Sequence, residues 1–382
     1  MAIVAAGVVT PVGLDLDAFW SGLLAGADGL SAIERFPTGD LRVGRGGEIK
    51  KLPPVALPVR SRAAALLVAA AADLTARTPL DAAPERIGLV VGTALGGVEE
   101  LEHALASDDG AHRALDGLYD SPAHALAAWL GVRGPVLTVS SACASGATAL
   151  GLGADLLAED AVDLVVAGGY DTLCRFVMRG FDALRSLSRD RVRPFDRRRT
   201  GLLLGEAAGL VLLARERDAR GPRLGRLLGH GSASDASHVA APDAEGRGLE
   251  AAIRAALVAG DTGVDDLDFV SAHGTGTVLN DRIETAVLKR VLGARADAVP
   301  VNSIKGALGH TMGAAATLEA IMCLLAARDG WVPPTVGYEE ADPACDLDYV
   351  PAACRAMRPR RMLSTSLGFG GCNAALVLEG VA

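Results

Sequence analysis

Continuous apolar runs dominate the chain, and strictly alternating ones are scarce. Met1-Ala-Ile-Val-Ala-Ala-Gly-Val-Val-Thr-Pro-Val-Gly13 reads as a first strand and a turn. Ile87-Gly-Leu-Val-Val-Gly-Thr93, the run from Val136 that stops at Ser140-Ser141, and Val162-Asp-Leu-Val-Val-Ala-Gly-Gly169 read as further strands. Runs that are apolar at every position suit strands covered on both faces. Between them lie stretches with helical spacing: Asp17 to Gly26, the alanine-rich Arg60 to Ala76, Glu99 to Ala106, Pro122 to Leu130, and a small-residue run from about Cys143 to Ala158. Strands alternating with helices predict an α/β architecture built on parallel sheet.

The pattern also repeats. Ser140-Ser-Ala-Cys143, followed by a small-residue helix, resembles Asn302-Ser-Ile-Lys-Gly-Ala-Leu-Gly-His310, followed by Thr311 to Arg328. Gly205-Glu-Ala-Ala-Gly-Leu-Val-Leu-Leu-Ala214 resembles Gly371-Cys-Asn-Ala-Ala-Leu-Val-Leu-Glu379. Two copies of one α/β unit, 1–222 and 223–382, meeting near Arg220-Gly-Pro222, account for the length as a duplication.

Composition narrows the class. The chain has 382 residues, 50% hydrophobic and 22% charged, enough for two core-bearing halves of a globular protein. A net charge of −9 argues against general nucleic-acid binding. Six cysteines are scattered with no C-x-x-C and no zinc spacing, which reads as reduced thiols of a cytoplasmic protein with no metal site. No Lys or Arg precedes Arg35, and no apolar run approaches the roughly 20 residues that cross a bilayer, so neither a signal peptide nor a membrane span is expected.

Three residues carry the candidate chemistry. Cys143 falls at a strand-to-helix corner among Ala142, Ala144, Ser145 and Gly146; unpaired N–H groups and the helix dipole there favour an anion, which predicts a lowered thiol pKa. His273, in Val270-Ser-Ala-His-Gly-Thr-Gly-Thr277, sits where a strand runs out into a glycine-rich loop ahead of a helix from Asp281 to Leu292; His310 sits at the repeat-related corner. In a duplicated α/β fold such carboxyl ends can converge on one crevice. A thiolate that attacks a carbonyl, with imidazole N–H groups to hold a developing oxyanion or enolate, suits acyl-thioester chemistry. Near the end, Gly368-Phe-Gly-Gly371 surrounds Phe369 with residues that permit unusual backbone conformations, as a gate would need.

With these segments in place the chain resembles the β-ketoacyl-acyl-carrier-protein synthases, the elongating ketosynthases of fatty acid and type II polyketide pathways in the thiolase superfamily. The resemblance rests on Val8-Val-Thr-Pro-Val-Gly13, Ala142-Cys-Ala-Ser-Gly146, Arg193-Pro-Phe-Asp196, Ser234-Asp-Ala-Ser-His238, His273-Gly-Thr-Gly-Thr277, Lys305 to His310, Pro333-Pro-Thr335, Cys345-Asp-Leu-Asp-Tyr-Val-Pro351 and Gly368-Phe-Gly-Gly371. It implies a five-layered αβαβα thiolase fold and a dimer, either of identical chains or with a paralogous ketosynthase-like subunit. It implies Cys143 as the acylated nucleophile, and His273 and His310 as promoters of malonyl decarboxylation, supported by Lys305 and Glu319. It further implies an oxyanion hole from the N–H groups of Cys143 and Phe369, a gate at Phe369, and a pantetheine arm held by Thr275 and Thr277. No soluble cofactor is implied, since the acyl groups arrive on the phosphopantetheine of an acyl carrier protein. The rival readings are a non-elongating, chain-length-factor-like partner, which the active cysteine weighs against, and an acyltransferase.

Nine arginines against three aspartates between Arg175 and Arg199 give a local balance of +6, suited to steering an acidic carrier protein. Arg60, Arg62 and Arg189 are the expected docking residues. The chain departs from the family pattern at three places: Thr365 stands where Asn is usual, Leu367 where Phe is usual, and Thr200-Gly201-Leu202 where Asp-Gly-Phe is usual.

Overall fold

The four apolar runs that read as strands each form one. The structure, a computed structural model, describes residues 1–55, 61–106 and 110–381. Its large sheet contains β1 (Ala2–Val9), β2 (Ile87–Gly92), β3 (Val136–Val139), β4 (Leu164–Asp171), β5 (Ala207–Ala214), β6 (Gly225–Ser234), β7 (Phe269–Ser271), β8 (Val301–Asn302), β9 (Arg361–Gly368) and β10 (Cys372–Gly380). The helices are α1 (Leu16–Leu24), α2 (Arg62–Arg77), α3 (Val98–Leu105), α4 (Gly110–Asp116), α5 (Ser121–Leu130), α6 (Ser145–Ala158), α7 (Arg175–Ala183), α8 (Arg247–Ala259), α9 (Val278–Leu292), α10 (Lys305–Leu308) and α11 (Ala315–Asp329).

Strand order across the sheet is β8-β7-β9-β10-β6-β1-β5-β4-β2-β3. From the centre outward the first five strands run 1-5-4-2-3 and the second five run 6-10-9-7-8, so one topology occurs twice. Only Ala2 with Arg226 and Ile3 with Gly225 pair across the seam. Helices α2 and α5 cover the outer face of the first half-sheet, α8 and α9 that of the second, and α6 and α11 lie between the two. Every residue from Ala315 to Ala327 is buried, because α11 is enclosed by both half-sheets and has no solvent face to make polar. This is the thiolase layering.

The sheet is mixed, where the apolar runs alone suggest a parallel one. In each half one strand runs against its neighbours: β5 between β1 and β4, and β10 between β6 and β9. β9 and β10 are joined by the short turn at Phe369 to Gly371, which requires an antiparallel pair. β3 lies at the sheet edge and is half-exposed along its length, not covered on both faces.

Candidate active site

Cys143 follows β3 in a tight corner. Ala142 has φ +51°, a conformation that side-chain-bearing residues seldom adopt, and α6 starts only at Ser145. The Ser145 hydroxyl locks the corner, accepting from the Ser141 N–H at 3.0 Å and donating to the Ala142 carbonyl at 2.5 Å. The corner sets Cys143 on a cavity lined by residues of both halves.

His273 follows β7. Its N–H and that of Gly274 donate to the two oxygens of Glu284 on α9, at 2.7 and 2.8 Å. His310 follows α10 and is pinned by its own backbone: its N–H donates to the Leu203 carbonyl at 2.7 Å and its carbonyl accepts from the Gly205 N–H at 3.0 Å. The two imidazoles meet edge to face with centroids 5.2 Å apart. Both rings are buried and neither Nδ1 has a hydrogen-bond partner. Together with Cys143 they line one cavity of about 410 Å³, which also takes in Thr275, Thr277, Leu202, Leu367 and Phe369. That volume suits a small acyl group and a thioester arm.

Behind the histidines, the Lys305 ammonium makes an ion pair with Glu319, both side chains fully enclosed. Burial pushes Glu319 up to about 7 against the pull of Lys305. Burial, and then the positive charge of Lys305, hold both imidazoles well below the usual histidine range, so at neutral pH each is uncharged and retains one N–H to donate.

The expected lowered thiol pKa is overturned. Burial pushes Cys143 up to about 12, and the Lys305 charge and the N–H of Phe369 only partly offset this. The helix-terminus argument holds for a thiol with solvent on one side; here desolvation of the anion outweighs it.

Phe369 sits at the mouth. Its N–H points at the Cys143 sulfur, and its ring packs at 5.3 Å from Phe181. Gly370 and Gly371 have φ of +82° and +76°, which only glycine adopts freely, so the turn could not hold other residues. Thr275 and Thr277 share a hydroxyl contact of 3.0 Å on the cavity wall.

The docking arginines fare differently. Arg62 is largely enclosed, and its guanidinium grips the buried Glu206 carboxylate at 2.8 and 2.5 Å and the Ile49 carbonyl at 2.8 Å. It braces the fold and presents no charge for a partner, a correction to its expected docking role. Arg60 lies outside the described residues. Arg189 is exposed. Most of the basic stretch is neutralised locally: Arg175 and Arg179 hold Asp40, Arg191 holds Glu339, Arg193 holds Asp190, Arg197 holds Glu340, Arg198 holds Asp196, and the buried Arg199 holds Asp342. The net +6 therefore overstates the field available to a partner.

Sequence reasoning missed a set of buried carboxylates that fix the loops around the site. Glu284 binds His273, Gly274 and the Thr365 hydroxyl, the last at 2.7 Å. Asp281 accepts from Phe195 and Gly276. Asp171 accepts from Ala94, Leu95, Gly313 and the Thr93 hydroxyl. For Asp281 and Glu284 a signal existed: acidic residues three apart on the helix face that also carries Val287 and Val291 lie on the side a helix buries.

A buried thiol and two uncharged imidazoles share one cavity, an arrangement suited to acyl-thioester chemistry. The chain matches the family models for the N-terminal domain of β-ketoacyl synthases over residues 1–219 and for their C-terminal domain over residues 224–339. It is 38% identical over 412 residues, covering 99% of this chain and 96% of the relative, to the tetracenomycin polyketide synthase ketoacyl synthase alpha subunit of Streptomyces glaucescens. It is 35% identical to nodulation protein E of Rhizobium sp. strain N33, covering 100% of this chain and 99% of the relative. Two solved structures superpose with a TM-score of 0.93, each covering 100% of this chain and 99% of the other. One, at 32% identity, is the ishigamide ketosynthase/chain length factor; the other, at 27%, is a type II PKS acyl-carrier protein in complex with its ketosynthase bound to the hexaketide. The chain belongs to the β-ketoacyl synthase family.

Proposed function

We propose that the protein is an elongating ketosynthase that performs a decarboxylative Claisen condensation, in a type II polyketide pathway in preference to primary fatty acid synthesis. The observation that carries this is the cavity shared by Cys143, His273 and His310, with both imidazoles uncharged.

In this mechanism an acyl thioester reaches Cys143 through the cavity mouth. A thiol with a pKa near 12 holds its proton at rest, so deprotonation accompanies attack on the acyl carbonyl, and the proton passes to the pantetheine sulfur as its C–S bond breaks. The N–H groups of Cys143 and Phe369 take the oxyanion. After the carrier leaves, a malonyl thioester loses CO2, and the electron pair of the broken C–C bond becomes an enolate that the two imidazole N–H groups stabilise. The enolate carbon attacks the acyl carbonyl, a C–C bond forms, and the C–S bond to Cys143 breaks with the pair returning to sulfur, which takes up a proton from water to restore the resting thiol. Burial, together with the charge of Lys305, keeps both histidines neutral, and Glu319 compensates that charge in the interior. Thr275 and Thr277 hold the pantetheine arm, and Phe369 gates the entrance.

The substrates arrive on acyl carrier protein, and the reaction calls on no metal or soluble cofactor. A paralogous ketosynthase-like subunit is the proposed partner; relatives solved with a chain length factor support this, as does the outer edge of β3, which pairs with no strand among the described residues. The test is product analysis after incubation with acyl and malonyl carrier proteins, with and without the paralogous subunit. A β-keto product two carbons longer is expected, and acyl transfer without extension in both mixtures would refute the condensing activity.

A further inference from the structure

Cys143 belongs to the first half of the molecule, whereas His273 and His310 belong to the second, so the two sides of the cavity must be held in register across the seam. A carboxylate ties them together. Asp171, the last residue of β4, is fully enclosed. Its Oδ1 accepts from the Thr93 hydroxyl at 2.6 Å and the Leu95 N–H at 3.0 Å, and its Oδ2 from the Ala94 N–H at 2.9 Å, all within the first half. The same Oδ2 reaches across the seam to the Gly313 N–H at 2.6 Å.

Both ends of this clamp lie close to reacting groups. The Ser145 hydroxyl, which locks the Cys143 corner, is 3.2 Å from the Thr93 carbonyl oxygen. Gly313 comes three residues after His310, in the turn Met312–Ala314, where Met312 has φ +49°. The halves touch backbone to backbone here: a Cβ on Gly146 would stand 2.7 Å from the Gly313 carbonyl oxygen, and one on Gly169 would collide with it. We propose that Asp171 is a positioning residue that holds the His310 turn against the Cys143 corner, so that the enolate forms within reach of the acyl carbonyl. The inference rests on the condensing reading above. With the clamp loosened, the malonyl thioester still loses CO2 beside the imidazoles. An enolate out of reach of the acyl carbonyl then takes a proton from water and leaves as the acetyl thioester, while the acyl chain stays on Cys143. Misplacement by about 1 Å can cost such a step about 100-fold.

The test is the ratio of acetyl thioester to two-carbon-longer product formed from malonyl carrier protein, on enzyme already carrying the acyl adduct. It is read for the wild type, Asp171→Asn and Thr93→Val. The asparagine turns an amide N–H toward groups that are themselves donors, and the valine removes one of the four hydrogen bonds. Leu257→Ala, in the core beneath α8, is the control for lost stability alone. The ratio is expected to rise at least about tenfold in Asp171→Asn, by a smaller factor in Thr93→Val, and not at all in Leu257→Ala. Where Asp171→Asn takes up no acyl group, Thr93→Val decides. A wild-type ratio in the loaded variants, or an equal rise in Leu257→Ala, overturns the inference and leaves the condensing activity standing. A loaded wild type that gives no longer product refutes the condensing activity, and the inference falls with it.

Discussion

Replacing Lys305 by methionine removes the only counter-charge of Glu319 among the described residues and leaves a carboxylate buried. Breaking a buried pair from one side costs about 3–5 kcal/mol. With an unfolding entropy of about 2.1 cal/mol/K per residue, a chain of this length has about 0.8 kcal/mol/K, so the loss corresponds to a fall in melting temperature of roughly 4–6 °C. The sign of the pH dependence follows from Glu319, whose pKa burial raises to about 7. A raised acid contributes stability that is present below its unfolded pKa and disappears as pH rises through the folded one. Without Lys305 that pKa climbs further, so the deficit is largest near pH 8 and shrinks at pH 5.5, where Glu319 holds a proton. The double variant Lys305→Met/Glu319→Leu exchanges the pair for apolar groups, a change that is often neutral or stabilising. It is expected to regain most of the lost melting temperature while its condensing activity falls, because burial alone is then left to hold His273 and His310 neutral. Calorimetry at the two pH values and a malonyl decarboxylation assay provide the measurements. A single variant that melts within 1 °C of wild type at pH 8, or a double variant with wild-type turnover, would refute this account of the pair.

Three further outcomes are expected. Alkylation of resting Cys143 by iodoacetamide should rise about tenfold per pH unit from pH 6 to 9 with no plateau, since the thiol titrates near 12; a plateau below pH 8 would restore the low-pKa thiolate. Thr365→Val removes a 2.7 Å hydrogen bond to buried Glu284 and should cost about 1–3 kcal/mol of stability, with turnover reduced and recovered by Thr365→Ser; equal turnover in the Val and Ser variants would remove Thr365 from the positioning of His273. Arg62→Ala should lower the melting temperature because it strands Glu206, whereas Arg189→Glu should raise the KM for carrier protein with little effect on melting; the reverse assignment would contradict the ion-pair geometry.

Much of this architecture was legible in the chain because the strands are continuous apolar runs. The likeness of residues 205–214 to 371–379 corresponds to β5 and β10, which occupy the same place in the two half-sheets. The likeness of the Cys143 and His310 corners corresponds to the β3–α6 and β8–α11 connections. The antiparallel setting of β5 and β10 was not legible, since a strand with both faces covered is equally apolar in either direction. The convergence of Cys143, His273 and His310 was readable from strand ends and repeat symmetry. The thiol pKa was not, because desolvation depends on what closes over the sulfur, and Phe369 arrives from 226 residues later in the chain. Arg62 was misread for a related reason: a basic residue at a helix start looks exposed until Glu206 is found opposite it. Glu284 went unnoticed because its partners are backbone N–H groups, which leave no trace in composition.

The central claim is that Cys143 carries the acyl chain while the two histidines drive decarboxylation at the same cavity. Intact-protein mass spectrometry after incubation with acyl carrier protein, for wild type, Cys143→Ala and His310→Ala, tests it most directly when followed by malonyl carrier protein and product analysis. The account predicts an acyl adduct on wild type and on His310→Ala, none on Cys143→Ala, and conversion of the adduct to a two-carbon-longer product by wild type alone. An adduct on Cys143→Ala, or extension at the wild-type rate by His310→Ala, would contradict it.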